Sequence, residues 1–435
     1  MRRAPFWNTL NFRATFALVV GLASFAGAHR AVNQQANVPA DFLSDQIHDP
    51  VSKLRAAMKA GTVELKYEPK HGYLDSILKQ LEISPTTQVL VFSKTSLQSA
   101  YITPQNPRAV YFSSGTYVGW IPGAPHIELM SIDPQFGPVF YTLDNVPGAK
   151  PEIARQTDTC FQCHFSPVEG HVPSLMARSV FTGTDGVPQL AHGSFTTTST
   201  SPMTERWGGW YVSGRHGSQR HMGNEVARGD GPDPINREKG ANVTDLSCYF
   251  DVEPYLTPHS DIVSLMVLEQ QMELQNLTTK AGFLTRRAIK DANDLISWKF
   301  EAAYVAKETQ ERVEHACEPL VRALVGVDEP SLTAPIEGTS GFTAYFAATA
   351  PPDKAGRRLS DLDLKTRLLR YPCSPFVYSS AFSGLPPEAK HQIFKRLMEI
   401  LTGKDPAKTP IRVNPDDGKS ALEILNDTLP QFSKQ

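Results

Sequence analysis

Two kinds of hydrophobic spacing divide the chain. Between residues 88 and 143 the apolar positions fall in short runs of branched and aromatic side chains: Gln88–Phe92, Ala109–Phe112, Thr116–Trp120, His126–Ile132 and Val139–Leu143. Proline and glycine clusters separate these runs, which predict the strands of a small antiparallel sheet. Two short amphipathic helices are predicted ahead of it, Asp49–Ala60, stopped by Gly61, and Tyr73–Leu81. At Thr257 the spacing becomes helical. Ile262, Leu265, Met266, Met272 and Leu277 share one face behind Thr257 as cap and Pro258 in the first turn, and Leu295–Val325 carries a second such pattern with Gly326 as its stop. These two patterns predict a helical pair. Pro387–Leu401 predicts a further helix followed by a polar tail, while residues 331–360 read as a linker. Residues 147–257 are dense in Gly, Pro, His and Arg, with strands expected only at Arg178–Thr182 and Trp207–Ser213. Long loops of this kind usually surround a site.

The expected class is therefore α+β. A β-rich region spans 29–146, a loop-rich region 147–257, a helical hairpin 258–330, and a linker with C-terminal helices 331–435. No repeat at solenoid or propeller period is present.

Composition is that of a globular chain: 435 residues, 40% hydrophobic and 20% charged. Met1–Asn11 is basic and free of acids, and Ala14–Gly27 is an apolar run too short for a comfortable membrane span. With Ala26, Gly27 and Ala28 as a small-residue cleavage pattern, residues 1–28 read as a signal peptide, the alternative being an uncleaved anchor. Its loss takes the 43 basic residues to 40 against 45 acidic ones. That mildly acidic balance argues against nucleic acid as a partner, because no basic surplus is available to displace counterions from phosphates. The mature chain is expected to be periplasmic, with no membrane span.

Thr159–Phe165 reads TCFQCHF, so Cys160, Cys163 and His164 form C-x-x-C-H, the signature of covalent c-type haem attachment. Two thiols three positions apart lie on one side of a helical turn and can add to the two vinyl groups of one porphyrin. His164 is then the proximal axial ligand, and a carbonyl accepting its other ring N–H would fix the tautomer. With five cysteines and 12 histidines in the chain, chance supplies about 0.002 such motifs, so coincidence is a poor account of it. A zinc site or a disulfide through Cys160 and Cys163 are the alternatives. Zinc normally requires a second C-x-x-C or paired histidines, and Cys248, Cys317 and Cys373 are isolated in sequence.

At these residues the chain resembles c-type cytochromes. YVGWIPG at Tyr117–Gly123, RWGGWYVSGRHGSQRHMGN at Arg206–Asn224 and RYPCSPFVYS at Arg370–Ser379 are similar to large, exported, single-haem bacterial cytochrome c domain proteins. The resemblance implies one covalent haem c and electron transfer, with redox proteins as partners and no particular substrate.

Electron-transfer haems close the second axial position with Met or His, whereas catalytic haems leave it open. Met222 is the first candidate, then His221 and His216, then Met176 and His192, with an open site also in play. Trp207 and Trp210 are candidate porphyrin walls, and Arg155, Arg178, Arg206 and Arg220 candidate propionate partners. If the iron is open, His216 or His221 becomes an acid–base group of a haem oxidoreductase acting on peroxide or a small sulfur or nitrogen oxyanion. A haem-anchored sensor or binding module is the third reading. Cys248, Cys317 and Cys373 allow at most one disulfide, with Cys373 read as a small buried hydrophobe. Glu269 with Glu273, and Glu311 with His315, share helical faces, but the di-iron bundle motif needs a three-residue spacing, so these are read as solvated. Gly418-Lys419-Ser420 lacks the upstream glycine of a phosphate loop.

Overall fold

The computed structural model describes residues 46–148, 150–165, 172–227 and 236–432, which belong to one compact unit. The expected signal peptide, residues 1–28, lies outside the described residues. The class is α+β, as the spacing predicts.

Asp49 caps α1 (Pro50–Lys59), its carboxylate accepting from the N–H groups of Val51 and Ser52 while Pro50 occupies the first turn. α2 (Leu74–Gln80) follows. Then come β1 (Val89–Val91), β2 (Arg108–Phe112), β3 (Thr116–Trp120), β4 (His126–Asp133), β5 (Gly137–Asp144) and β6 (Ile153–Gln156). A single helical turn, α3 (Phe161–His164), is followed by the hairpin β7 (Ala177–Val180) and β8 (Ser194–Thr197), then β9 (Trp210–Tyr211) and β10 (Gly214–Arg215). The sheet is antiparallel, ordered β6-β5-β4-β3-β2-β1-β9. β6, β8 and β10 are absent from the sequence reading, because each is four residues or fewer and none carries a run of apolar branched or aromatic side chains.

Both faces of the sheet are covered, so its strands are buried almost throughout. On one face Tyr141 donates its hydroxyl to Asp49 of α1 at 2.6 Å. Period-two alternation puts Arg108, Gly119, Glu128, Phe140 and Thr142 on the other face, through the register pairs Val110↔Gly119, Gly119↔Glu128 and Glu128↔Thr142.

The helical pair is α4 (Ile262–Ser297) and α5 (Ala302–Val325), the latter ended by Gly326 in the left-handed conformation. α4 starts four residues later than the spacing predicts. Asp261, not Thr257, is its cap, because Thr257 and His259 give their carbonyls to the Gln88 amide and Ser260 binds the Tyr211 carbonyl. Residues 331–360 are not a spacer: they hold β11 (Glu337–Gly338), paired with β10, and α6 (Phe342–Ala347), whose buried Phe342 packs on Phe112 of the sheet. After the short α7 (Ser380–Ser383) come α8 (Pro387–Leu401), as expected, and α9 (Pro415–Thr428), where the sequence reads only as a polar tail. No helix among the described residues is long and apolar enough to cross a membrane.

Candidate functional site

β6 delivers the C-x-x-C-H turn to the edge of the sheet. Four residues after Gln156, Cys160 opens α3, and its carbonyl accepts from the N–H groups of Cys163 at 3.3 Å and His164 at 3.0 Å. Both thiols are free, Cys160 half-buried and Cys163 exposed, on one helical turn. The His164 ring lies against Phe140 of β5 with centroids 4.8 Å apart, and Phe161 meets the same phenyl edge-on at 5.8 Å.

His164 is fixed by main chain. Its Nδ1 is 2.9 Å from the Ser174 carbonyl, and Ser174 N–H donates back to the His164 carbonyl at 2.8 Å. A carbonyl can only accept, so Nδ1 carries the proton and Nε2 keeps its lone pair. Ser174 is held in turn from α4, where the Asn276 side chain accepts from Leu175 N–H at 2.7 Å and donates to its carbonyl at 2.9 Å. Burial lowers the His164 pKa, which keeps the ring in its neutral, metal-binding form.

Burial, reinforced by the Glu128 carboxylate and then by Cys163, pushes the Cys160 thiol up to about 11. Thiols poised for disulfide exchange at helix N-termini move the other way, so Cys160 is not built as a thiolate nucleophile. Among the described residues no group of three or more His, Cys, Asp or Glu converges as a metal site.

One charged pair stands on the same sheet face. The Arg108 guanidinium reaches across β3 to Glu128 at 2.6 Å, and Gly119 makes this crossing possible, since a Cβ there would strike the guanidinium. Arg108 Nε is buried without a hydrogen-bond partner, an orphaned donor on a cation whose charge is felt at both Cys160 and His164. Two free thiols on one turn, a neutral imidazole with Nε2 free, two phenyl rings and an unmatched guanidinium donor fit a haem carrying anionic propionates.

The candidate distal ligands are not brought to His164. Met222 and Asn224 hydrogen-bond to Arg206 and Trp210, at β9. Four strands separate β9 from β5, roughly 24 Å along the sheet. Met222 is 1% exposed, and its sulfur accepts from the Ser179 hydroxyl at 3.6 Å. His221 is buried against Trp207 and His216, with ring centroids at 5.5 and 4.7 Å. Donors trans across one metal lie only about 4–5 Å apart, twice a metal–ligand bond. Met222 and His221 are therefore core residues here, as is His216, both of whose ring nitrogens are engaged by main chain, at Gln219 O and Asn242 N–H. His192 ends a short 3₁₀ turn in the β7–β8 connection. Met176, two residues from Ser174 and half-buried, is the one sequence candidate left beside the turn.

The other assignments also move. Trp207 lies in the core, and the Trp210 indole donates to the Arg178 carbonyl. Arg155 pairs with Tyr141, which puts it on the α1 face, Arg178 meets Ser194, and Arg220 pairs with Glu238. Arg206 forms a buried ion pair with Glu269 at 3.1 Å, so Glu269 is not solvated; Glu273 is half-buried and accepts from Ser199, whereas Glu311 and His315 are exposed as expected. Cys248, Cys317 and Cys373 are free, and Cys373 is fully buried. Phe140, Arg108, Glu128 and Asn276 escaped the sequence reading because they reach the motif only through strand register and α4. Comparison with protein-family models, with curated proteins and with solved structures gives no match.

Proposed function

We propose that the chain is an exported, periplasmic c-type haem protein that passes single electrons between redox proteins. The observation that carries this reading is the hydrogen bond from His164 Nδ1 to the Ser174 carbonyl, which leaves Nε2 free on the turn that carries Cys160 and Cys163. In it, Cys160 and Cys163 hold the haem through thioethers, His164 is its axial ligand, and Arg108 is a propionate partner. Bound there, haem would supply the one-electron couple. Asn276 and Ser174 keep the imidazole from turning as charge changes, and Phe140 and Phe161 keep water from its buried side. Cys163, exposed at the surface, marks the side on which a redox partner would approach.

The oxidoreductase reading loses its acid–base groups. His216 has no free ring nitrogen, and His221 is walled in by Trp207.

The test is the absorption spectrum of the mature protein co-produced with a cytochrome c maturation system, oxidised, reduced, and reduced under carbon monoxide. Haem that resists acid-acetone extraction, with a low-spin spectrum unmoved by carbon monoxide, is expected. A carbon monoxide-reactive spectrum would replace electron transfer by an open-iron function, and absence of covalent haem would overturn the reading.

A further inference from the structure

The α4–α5 hairpin ends in a tip with no core of its own. The last buried residue of α4 is Ala288 and the first of α5 is Val305, so none of residues 289–304 is buried. The α4 part of this stretch, residues 289–297, adds about 14 Å of helix beyond the last buried turn. Its crown is nevertheless apolar: Ile296 is 54% exposed, Trp298 70%, Phe300 51% and Tyr304 56%. Solvent alone would favour polar residues at every one of these positions, and clustered exposed aromatics mark a contact surface.

The turn itself carries a second peculiarity. Lys299 N–H donates to the Ile296 carbonyl and Phe300 N–H to that of Leu295, the paired bonds of a Schellman stop. Its left-handed position, φ 63°, normally falls to glycine, yet here it holds lysine. The chain thus accepts backbone strain and so places a cation between two exposed aromatic rings.

We propose that this tip seats in the interfacial layer of a lipid bilayer. Indole, phenol and a long lysine side chain each join an apolar body to a polar end, which suits the boundary between acyl chains and headgroups better than a dry protein pocket. Lys299 would meet lipid phosphate while Trp298, Phe300 and Ile296 enter the acyl boundary. A convex tip needs no shape-complementary partner to bury its surface in a bilayer. This inference stands apart from the haem reading and survives its failure.

Sedimentation of the mature protein with sucrose-loaded phosphatidylcholine vesicles, with and without phosphatidylglycerol, tests it. The wild type is expected to bind both, since exposed Asp294 and Glu301 beside Lys299 leave the tip without a cationic surplus. The variant I296S/W298S/F300S/Y304S, which touches no buried position, is expected to lose at least tenfold in affinity while keeping its circular dichroism spectrum. If the variant unfolds, quenching of Trp298 in the wild type by brominated lipid is the deciding readout. Wild type that leaves vesicles unbound, vesicle binding unchanged in the folded variant, or absence of quenching overturns the proposal. So does a lipid-free dimer in light scattering that the variant abolishes, which would make a second copy of the chain the occupant.

Discussion

At the scale of residues, the histidines differ in what their ring nitrogens are given. His164 receives one main-chain acceptor and keeps Nε2 free, His216 receives a partner at each nitrogen, and His221 is driven into the core, its pKa down to about 3 through burial and then the charges of His216, Arg220 and Arg237. The spacing C-x-x-C-H draws attention to His164 in the sequence. Nothing in the string RHGSQRHMGN tells a core histidine from a ligand, because the difference lies in Trp207, Asn242 and Ser179, which the fold brings in from elsewhere. Two outcomes follow. Met222→Ala is expected to leave the haem spectrum and its response to carbon monoxide unchanged while lowering stability by about 2–5 kcal/mol, measured by urea denaturation, since the residue fills core and does not ligate. His221 makes stability fall in acid: its folded pKa lies below the usual 6.5, so the unfolded chain binds a proton that the folded one refuses. Its contribution is complete above pH 6.5 and is lost as pH drops towards 3, amounting to about 2 kcal/mol by pH 5. Denaturant midpoints of wild type and His221→Gln between pH 7.5 and 5 should show the variant's slope reduced by that amount. Parallel slopes would place a charged or solvated ring at 221.

At the scale of elements, local spacing located α1, α2, the α4–α5 pair, α8 and the long strands, whereas α6, α9, the element ends and the smallest strands escaped it. α4 shows why. Its amphipathic face was legible, yet its start was set by Asp261, whose carboxylate caps Val263 N–H at 2.8 Å and also accepts from Thr339 N–H, Ser340 N–H and the Ser340 hydroxyl at 2.7–2.9 Å. One buried side chain thus starts the long helix and pins the segment that leads into α6, so a stretch that reads as a linker is part of the core. Asp261→Ala leaves four donors in a buried setting without an acceptor, and is expected to cost about 2–4 kcal/mol, more than an exposed cap. Equilibrium urea unfolding checks the number, and the loss should exceed that of Asn414→Ala, the exposed cap of α9, at about 1 kcal/mol. Equal losses would reduce Asp261 to a helix cap.

For the whole molecule, what matters is how little of the fold the motif turn holds up. Seven strands, covered on one face by α1 and on the other by α6, close a core that does not include Cys160 or Cys163. In a small domain a prosthetic group has to stand in for missing apolar surface, but a unit of this size already buries around three quarters of its chain surface. The haem reading therefore carries a consequence for stability. Replacing both cysteines, Cys160→Ala with Cys163→Ala, removes one half-buried and one exposed thiol. The variant is expected to lose all covalent haem and yet keep its circular dichroism spectrum, with Tm lowered by no more than a few degrees, since about 1 kcal/mol moves even a chain of about 150–250 residues by only about 2–4 °C and a longer one by less. The turn would stay in place because the bonds that fix it, Ser174 to His164 and Asn276 to Leu175, need neither sulfur. A variant that folds only with haem would mean that the group forms part of the core, and that the sheet and α4 alone do not position His164. A variant that keeps extraction-resistant haem would mean that attachment does not pass through these two thiols.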